Sequence, residues 1–441
     1  MNRKKLLKNL TYYFNQTHQY PLMELDLIKE EIINHINTGN SLEALYRKNN
    51  NLFQRAFHAV YPDVQDSPAA QFWHERLNYQ REEFSLGNRA DIIFVVICSL
   101  IAGCIANLPN FFALIPDNFF QKNIGFVVFP VLMVYFSKKH GLVIKNIIIP
   151  LIAVLLSVCF INLFPAADDS DTFILACIHL PIFLWTVLGY VFINGNLRDD
   201  YGKVDFLRWN GHLLVMAAIL VLSGGLFTGI TVGLFQLIGF DIIEFYMEHI
   251  AIWGLAAIPV VAAYLVRSNP QLVNNISPTI ARIFTPIVFF TLMVFLGAMV
   301  FSKESVYHDR NFLIMFNILL IGVMAIILFS VTEANKNSYQ QYRYWLLLGV
   351  AGLTIILNGI ALSAIIFRLA EFGITPNRIA VLGANILIFI HLLLVAQQLY
   401  RVIRAKSDGQ QVERVITGFM PFYGMWTAFV IFIIPLLFGF E

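Results

Sequence analysis

From residue 91 onward the chain is a series of about eleven apolar stretches separated by short polar loops. A hydrocarbon core roughly 30 Å thick takes about 20 helical residues to cross. The stretches fall near that length: 91–109, 122–137, 142–164, 172–194, 211–238, 242–266, 280–302, 311–331, 344–367, 379–400 and 417–439. Lipid offers the backbone no hydrogen-bond partner, so a span is either a helix or part of a closed barrel. Barrel strands alternate apolar and polar residues, whereas these runs are continuous. The fold expected is all-α, a polytopic transmembrane helical bundle of about 11 spans over 89–441 behind a small helical head over 1–88.

Hydrophobic residues make up 58% of the chain and charged residues 13%, against about 25% charged in a soluble domain. The formal charge of +2 gives no basis for nucleic-acid binding. Cys98, Cys104, Cys159 and Cys177 all fall inside apolar stretches without metal or disulfide spacing, so they read as packing residues. No cofactor or metal motif is present. Met1 to Asn9 is basic, but Thr11 to Gln19 is polar where a cleaved signal needs an apolar core. The first span is therefore expected to direct membrane insertion.

Charge placement orients the bundle. With the head in the cytoplasm, about twelve loop lysines and arginines lie inside (among them Lys138, Lys139, Arg198, Lys203, Arg208, Arg267, Arg343 and Arg414) and about five outside (Lys122, Lys303, Arg310, Arg368, Arg378). Basic residues favour the cytoplasmic side. The N-terminus is then inside and, with an odd number of spans, the C-terminus outside. Pro109 to Phe120, aromatic and proline-bearing, reads as an interfacial segment between the first two spans.

In the head, Leu25, Ile28, Ile32 and Ile36 recur at helical spacing, with Gly39 as a C-cap and Ser41 opening the next helix. Leu42, Leu45, Phe53, Phe57 and Val60 continue the apolar face. Asp66-Ser67-Pro68 starts a further helix presenting Phe72, Trp73 and Leu77. The head reads as a packing or partner-binding domain.

Several polar groups sit where they are costly. Gly224, Gly225, Gly229 and Gly233 make a doubled small-xxx-small face expected to receive another helix. Projected at 100° per residue, Asp241, Glu244 and Glu248 share one helical face, with Glu248 about 10 Å deeper than Asp241. Glu248, and less so Glu244, is a candidate for proton or cation handling. Asn317, Asn358 and Asn385 fall in the outer halves of their spans. Each alone reads as helix-to-helix glue, and together they point to an outward polar cavity. His179 is a further buried polar residue, and His391, near mid-membrane, reads as a core histidine with a proton relay as the alternative.

Arg368-Leu-Ala-Glu371-Phe-Gly373-Ile-Thr375-Pro376-Asn377-Arg378 joins the ninth and tenth stretches. Gly373 suits a positive φ after a helix, and Thr375 with Pro376 suits a cap and first helical position. Arg378 then lies in a first turn, where a helix dipole disfavours a cation. Glu371, Glu244 or Glu248 are candidate partners for the two arginines. The string resembles the signature of an uncharacterised bacterial polytopic membrane family known only as a domain of unknown function. The resemblance implies a bacterial polytopic membrane architecture and makes Arg368, Gly373, Thr375, Pro376, Asn377 and Arg378 part of the family pattern, without assigning them a role. It implies no substrate and no reaction.

The reading that fits these features best is a permease-like transporter in the lipid bilayer, with an outward-half site for a small anionic or lipid-like ligand. Its candidate site residues are Glu244, Glu248, Arg368, Glu371, Arg378, Asn317, Asn358 and Asn385. A membrane sensor or assembly factor, whose head over 1–88 binds a cytoplasmic protein partner, is the alternative. An enzyme acting on lipid-linked substrates through Asp168, Asp169 or Asp171 with His308-Asp309-Arg310 ranks last.

Overall fold

The computed structural model describes residues 26–36, 39–48, 50–78, 88–112, 118–139, 144–165, 170–237, 240–270, 276–301, 310–334 and 341–441. They are helical almost throughout, with no strand among the described residues. The chain divides into two compact units, Met1–Phe84 and Ser85–Glu441.

The first unit holds α1 (26–35), α2 (Gly39–Lys48), α3 (Asn50–Val64) and α4 (Pro68–Asn78). Ile32, Ile36, Leu42, Phe53, Phe57, Val60 and Trp73 form its core. Two local expectations change. Gly39 opens α2 rather than capping α1, so Ser41 lies inside the first turn. Phe72 is exposed while Trp73 is buried, because consecutive helical residues point about 100° apart and one face cannot take both. Leu25 lies outside the described residues. Outside the core, Glu43 takes the Arg47 Nε at Oε1 and the Arg76 Nη1 at Oε2, each at 2.8 Å.

The second unit is a helical bundle. Its helices are α5 (Arg89–Ala106), α6 (Leu108–Phe111), α7 (Phe119–Lys139), α8 (Ile144–Asn162), α9 (Asp171–Phe192), α10 (Asp200–Leu237) and α11 (Ile243–Tyr246). A π-turn, Met247–Ala251, leads from α11 into α12 (Ile252–Ser268). Then come α13 (Ile276–Phe301), α14 (Arg310–Ala334), α15 (Gln341–Phe372), α16 (Pro376–Ile403), α17 (Gly409–Gly418) and α18 (Met420–Ala428). A second π-turn, Phe429–Ile433, precedes α19 (Ile434–Leu437). Eight helical segments are long and apolar enough to cross a membrane, and three shorter apolar ones lie at Asn146–Asn162, Ile283–Met299 and Asn317–Leu328. Within the described residues, each of the eleven stretches anticipated from the sequence coincides with helix. Pro150, Pro181 and Pro286 each sit inside a helix that runs through them.

Close helix contacts come from small residues facing large ones. A Cβ on Gly103 would overlap the Trp253 ring, and one on Gly383 the Trp426 ring. Asn123 and Asn162 exchange amide hydrogen bonds of 3.0 and 2.9 Å between α7 and α8. At one end of the unit, Arg208 joins α10 to α17 through Glu413 at 3.7 Å, and Arg414 reaches Asp200 at 3.7 Å. Of the cysteines, Cys98 and Cys177 are buried, Cys104 and Cys159 exposed, and none is in a disulfide.

Contacts also order the two ends. Lys138 reaches Asp91 at 3.7 Å, so α5 begins where α7 ends. Phe136 packs on Phe192 and Lys122 lies over Phe173, so α7 and α9 run parallel. The C-terminal segment returns to the start of α9, where the Thr172 N–H donates to the Glu441 carbonyl at 3.0 Å. The start of α5 and the end of the chain therefore lie at opposite ends of this unit.

The glycine face on α10 departs from expectation. No atom lies within 4 Å of a Cβ built on Gly224, Gly225, Gly229 or Gly233. The helix buries its first half, including Val204, Phe206, Leu207, Trp209, His212 and Met216, and exposes most of the second. The small-residue spacing makes close approach feasible, and no described helix uses it. For an apolar face in lipid, exposure costs little.

Candidate functional site

The Arg368–Arg378 string folds as its residue types dictate. α15 ends at Phe372, Gly373 takes φ +77°, and the Thr375 hydroxyl accepts from the Arg378 N–H at 3.4 Å with Pro376 opening α16. Arg378 therefore does sit in a first turn, at the unfavourable end of its own helix dipole. Its side chain resolves the conflict by reaching back. Nη1 donates to the carbonyls of Phe372 at 2.7 Å and Gly373 at 2.6 Å, capping the negative end of α15. The Phe372 ring lies within 5.7 Å of the Arg378 guanidinium and 6.0 Å of that of Arg368.

Beside this turn is a cavity of about 500 Å³ between α9, α14, α15 and α16. Arg368, Arg378, Asn317, Asn377, Thr375 and Asp171 supply its polar lining, with Ile174, Ile178, Ile365 and Val381 as walls. Two guanidiniums, two amides and one carboxylate leave the lining with more cation than anion, which suits an anionic guest. Asp171 is the first residue of α9, behind the Ser170 cap.

The three asparagines meet. Asn385 Nδ2 donates to Asn317 Oδ1 at 2.7 Å and to the Val381 carbonyl at 2.8 Å, and Asn358 Nδ2 donates to the Asn385 carbonyl at 3.2 Å. They join α14, α16 and α15, and Asn317 carries the chain of amides to the cavity wall. Deeper on α16, His391 Nδ1 is 3.0 Å from the Tyr423 hydroxyl, and its ring stacks on Phe419.

The acidic candidates are elsewhere. Glu371 is exposed and does not line the cavity. Asp241 precedes the helix and accepts from the Ile243 N–H at 3.2 Å. Glu244 lies in the short α11, and Glu248 in the π-turn. Asp241 lies before the helix, so the 100° projection that aligned the three does not extend to it, and a π-turn begins between Glu244 and Glu248. Glu244 and Glu248 are exposed, and the described bond of Glu248 is through its carbonyl, which accepts from Asn110 Nδ2 at 3.1 Å. Neither lines the cavity with Arg368 and Arg378. Asp168, Asp169, His308, Asp309 and the Arg310 side chain lie outside the described residues.

The lining that sequence reasoning did not assemble is Asp171, Thr375 and Asn377. The last two were visible in the signature string. The approach of α9 to α16 leaves no mark in the sequence. Among the described residues no group of three His, Cys, Asp or Glu side chains is placed to hold a metal. No family model matches the chain, and neither a curated protein nor a solved structure is detectably similar to it.

Proposed function

We propose that this multi-pass membrane protein is a permease-like transporter that takes a small anionic solute into the cavity beside the α15–α16 turn. One observation carries the reading: Arg368 and Arg378, from the two sides of that turn, line a space of about 500 Å³ together with Asn317 and Asn377. A guanidinium fork matches carboxylate or phosphate geometry, and neutral amides add orientation without cancelling charge. With the head on the cytoplasmic side of a bacterial plasma membrane, as the twelve-to-five distribution of loop cations favours, the cavity opens on the outer half. Glu248 has no part in this arrangement.

The test is uptake of labelled anionic metabolites into proteoliposomes containing the full chain, compared with Arg368→Gln and with the head-side control Lys29→Gln. Anion uptake saturating in the micromolar to millimolar range typical of such sites, and lost in Arg368→Gln only, supports the proposal. No flux of any anion above empty liposomes, with the protein shown folded, refutes it.

A further inference from the structure

Arg343 occupies the first turn of α15, at the opposite end of that helix from Arg368 and about 38 Å away at 1.5 Å per residue. It is only 8% exposed, yet no described carboxylate lies within ion-pair distance of it. Glu413, the buried acid at this end, pairs instead with Arg208. Among the described residues Arg343 therefore has no counter-ion, and burying a cation without one is strongly disfavoured. Its position compounds the problem, since the first turn of a helix presents unpaired N–H groups and the positive end of the dipole. Both features call for an anion at the same place.

The space for one is present. Arg343 lines a cavity of about 500 Å³ with Thr285, Ser330, Pro286, Tyr342 and Trp345. The Thr285 and Ser330 hydroxyls, both buried, lie 2.8 Å apart at its wall. Tyr342 and Trp345 are more than half exposed, as aromatic residues at a membrane–water boundary are. The lining thus combines a buried guanidinium and hydroxyls with apolar walls and belt aromatics. A free anion needs only the first part, and a lipid headgroup with its acyl chains uses both.

We infer that this cavity binds the phosphate of an anionic phospholipid from the leaflet at that end of the bundle, with Arg343 holding the phosphate. The site is independent of the Arg368–Arg378 cavity. To test it, the full chain is purified in detergent, supplied with phosphatidylglycerol, and the lipid retained is counted by native mass spectrometry. Wild type retains one phosphatidylglycerol that Arg343→Gln loses, with affinity reduced on the order of tenfold or more. Arg343→Lys loses less, and Arg368→Gln loses none. Equal retention in wild type and a monodisperse Arg343→Gln overturns the inference. Because Arg343→Gln alone would be uninformative if it misfolds, wild type is also challenged with inorganic phosphate. Displacement of the lipid only by excess phosphatidylglycerol supports a lipid site, whereas displacement by millimolar phosphate overturns it in favour of a soluble anion.

Discussion

The Arg378 guanidinium donates to the Phe372 carbonyl at 2.7 Å, so a cation in the first turn of α16 serves as the C-cap of α15. One side chain thereby ties the two helices of a hairpin across a three-residue turn and still lines the adjacent cavity. Arg378→Ala removes both charge-assisted bonds from the end of α15. At this exposed position we expect a loss of about 1–2 kcal/mol, read as a lower midpoint of thermal unfolding in detergent. Arg378→Lys is expected to recover only part of it, since an ammonium is more strongly hydrated than a guanidinium and gives up more on binding the two carbonyls. Equal midpoints for wild type and Arg378→Ala would show that the cap is dispensable.

Asn385 joins three helices through its side-chain amide and its carbonyl. Asn385→Leu leaves Asn317 Oδ1 without its described donor. Interhelical hydrogen bonds in membranes average about 0.6 kcal/mol with a maximum near 1.7, so a cost of about 1 kcal/mol is expected. A double-mutant cycle with Asn317→Leu measures the pair directly, and a coupling energy indistinguishable from zero would sink it. Because Asn317 lines the cavity, Asn385→Leu is also expected to weaken anion uptake a few-fold through KM rather than kcat.

In the head, Arg47 and then Arg76 hold the Glu43 carboxyl below its ordinary value of 4.5. The folded-state pKa is depressed, so the contribution is present above the unfolded value and lost as pH falls through the folded one. Amide exchange of α2 to α4 in the full chain is therefore expected to accelerate below about pH 4.5. Glu43→Gln removes this part of the acid dependence while leaving the core residues Phe53, Phe57 and Trp73 in place. Identical exchange profiles for the two chains between pH 3 and 6, taken as a rough bracket of that value, would contradict the pairing.

How far the sequence could be read depended on whether a property is local. Helix content follows from the solvent alone, since lipid leaves the backbone of residues 91–109 or 379–400 no other way to satisfy itself. The Gly373-Ile374-Thr375-Pro376 turn was legible because φ +77° and a hydroxyl cap are requirements on single residues. The meeting of Asn317, Asn358 and Asn385 followed from shared depth. What failed was rotational bookkeeping. Asp241, Glu244 and Glu248 were aligned by assuming one α-helix from Asp241 onward, whereas Asp241 precedes the helix and a π-turn begins at Met247. Arg378 was expected to seek a carboxylate, whereas unpaired carbonyls three residues before the next helix satisfied it first. Neighbour identity was also hidden: nothing in α10 shows that Gly229 meets no partner, and nothing in α16 shows that Gly383 faces an indole.

That last contrast is itself testable, because the two glycines look alike in sequence. A Cβ on Gly383 would overlap the Trp426 ring, which also packs on Phe429 at 5.3 Å. A Cβ on Gly229 would meet nothing within 4 Å. Gly383→Ala forces the indole or the α16–α18 spacing to shift, an overpacking cost of about 1–3 kcal/mol. Gly229→Ala adds a methyl to an open helix face and, by helix propensity, is expected to be neutral or to stabilise by up to about 1 kcal/mol. Thermal unfolding of the two variants in the same detergent discriminates. If Gly229→Ala proved the more damaging, the glycine face of α10 would have to be covered in the folded protein, and the packing of α10 described above would be wrong.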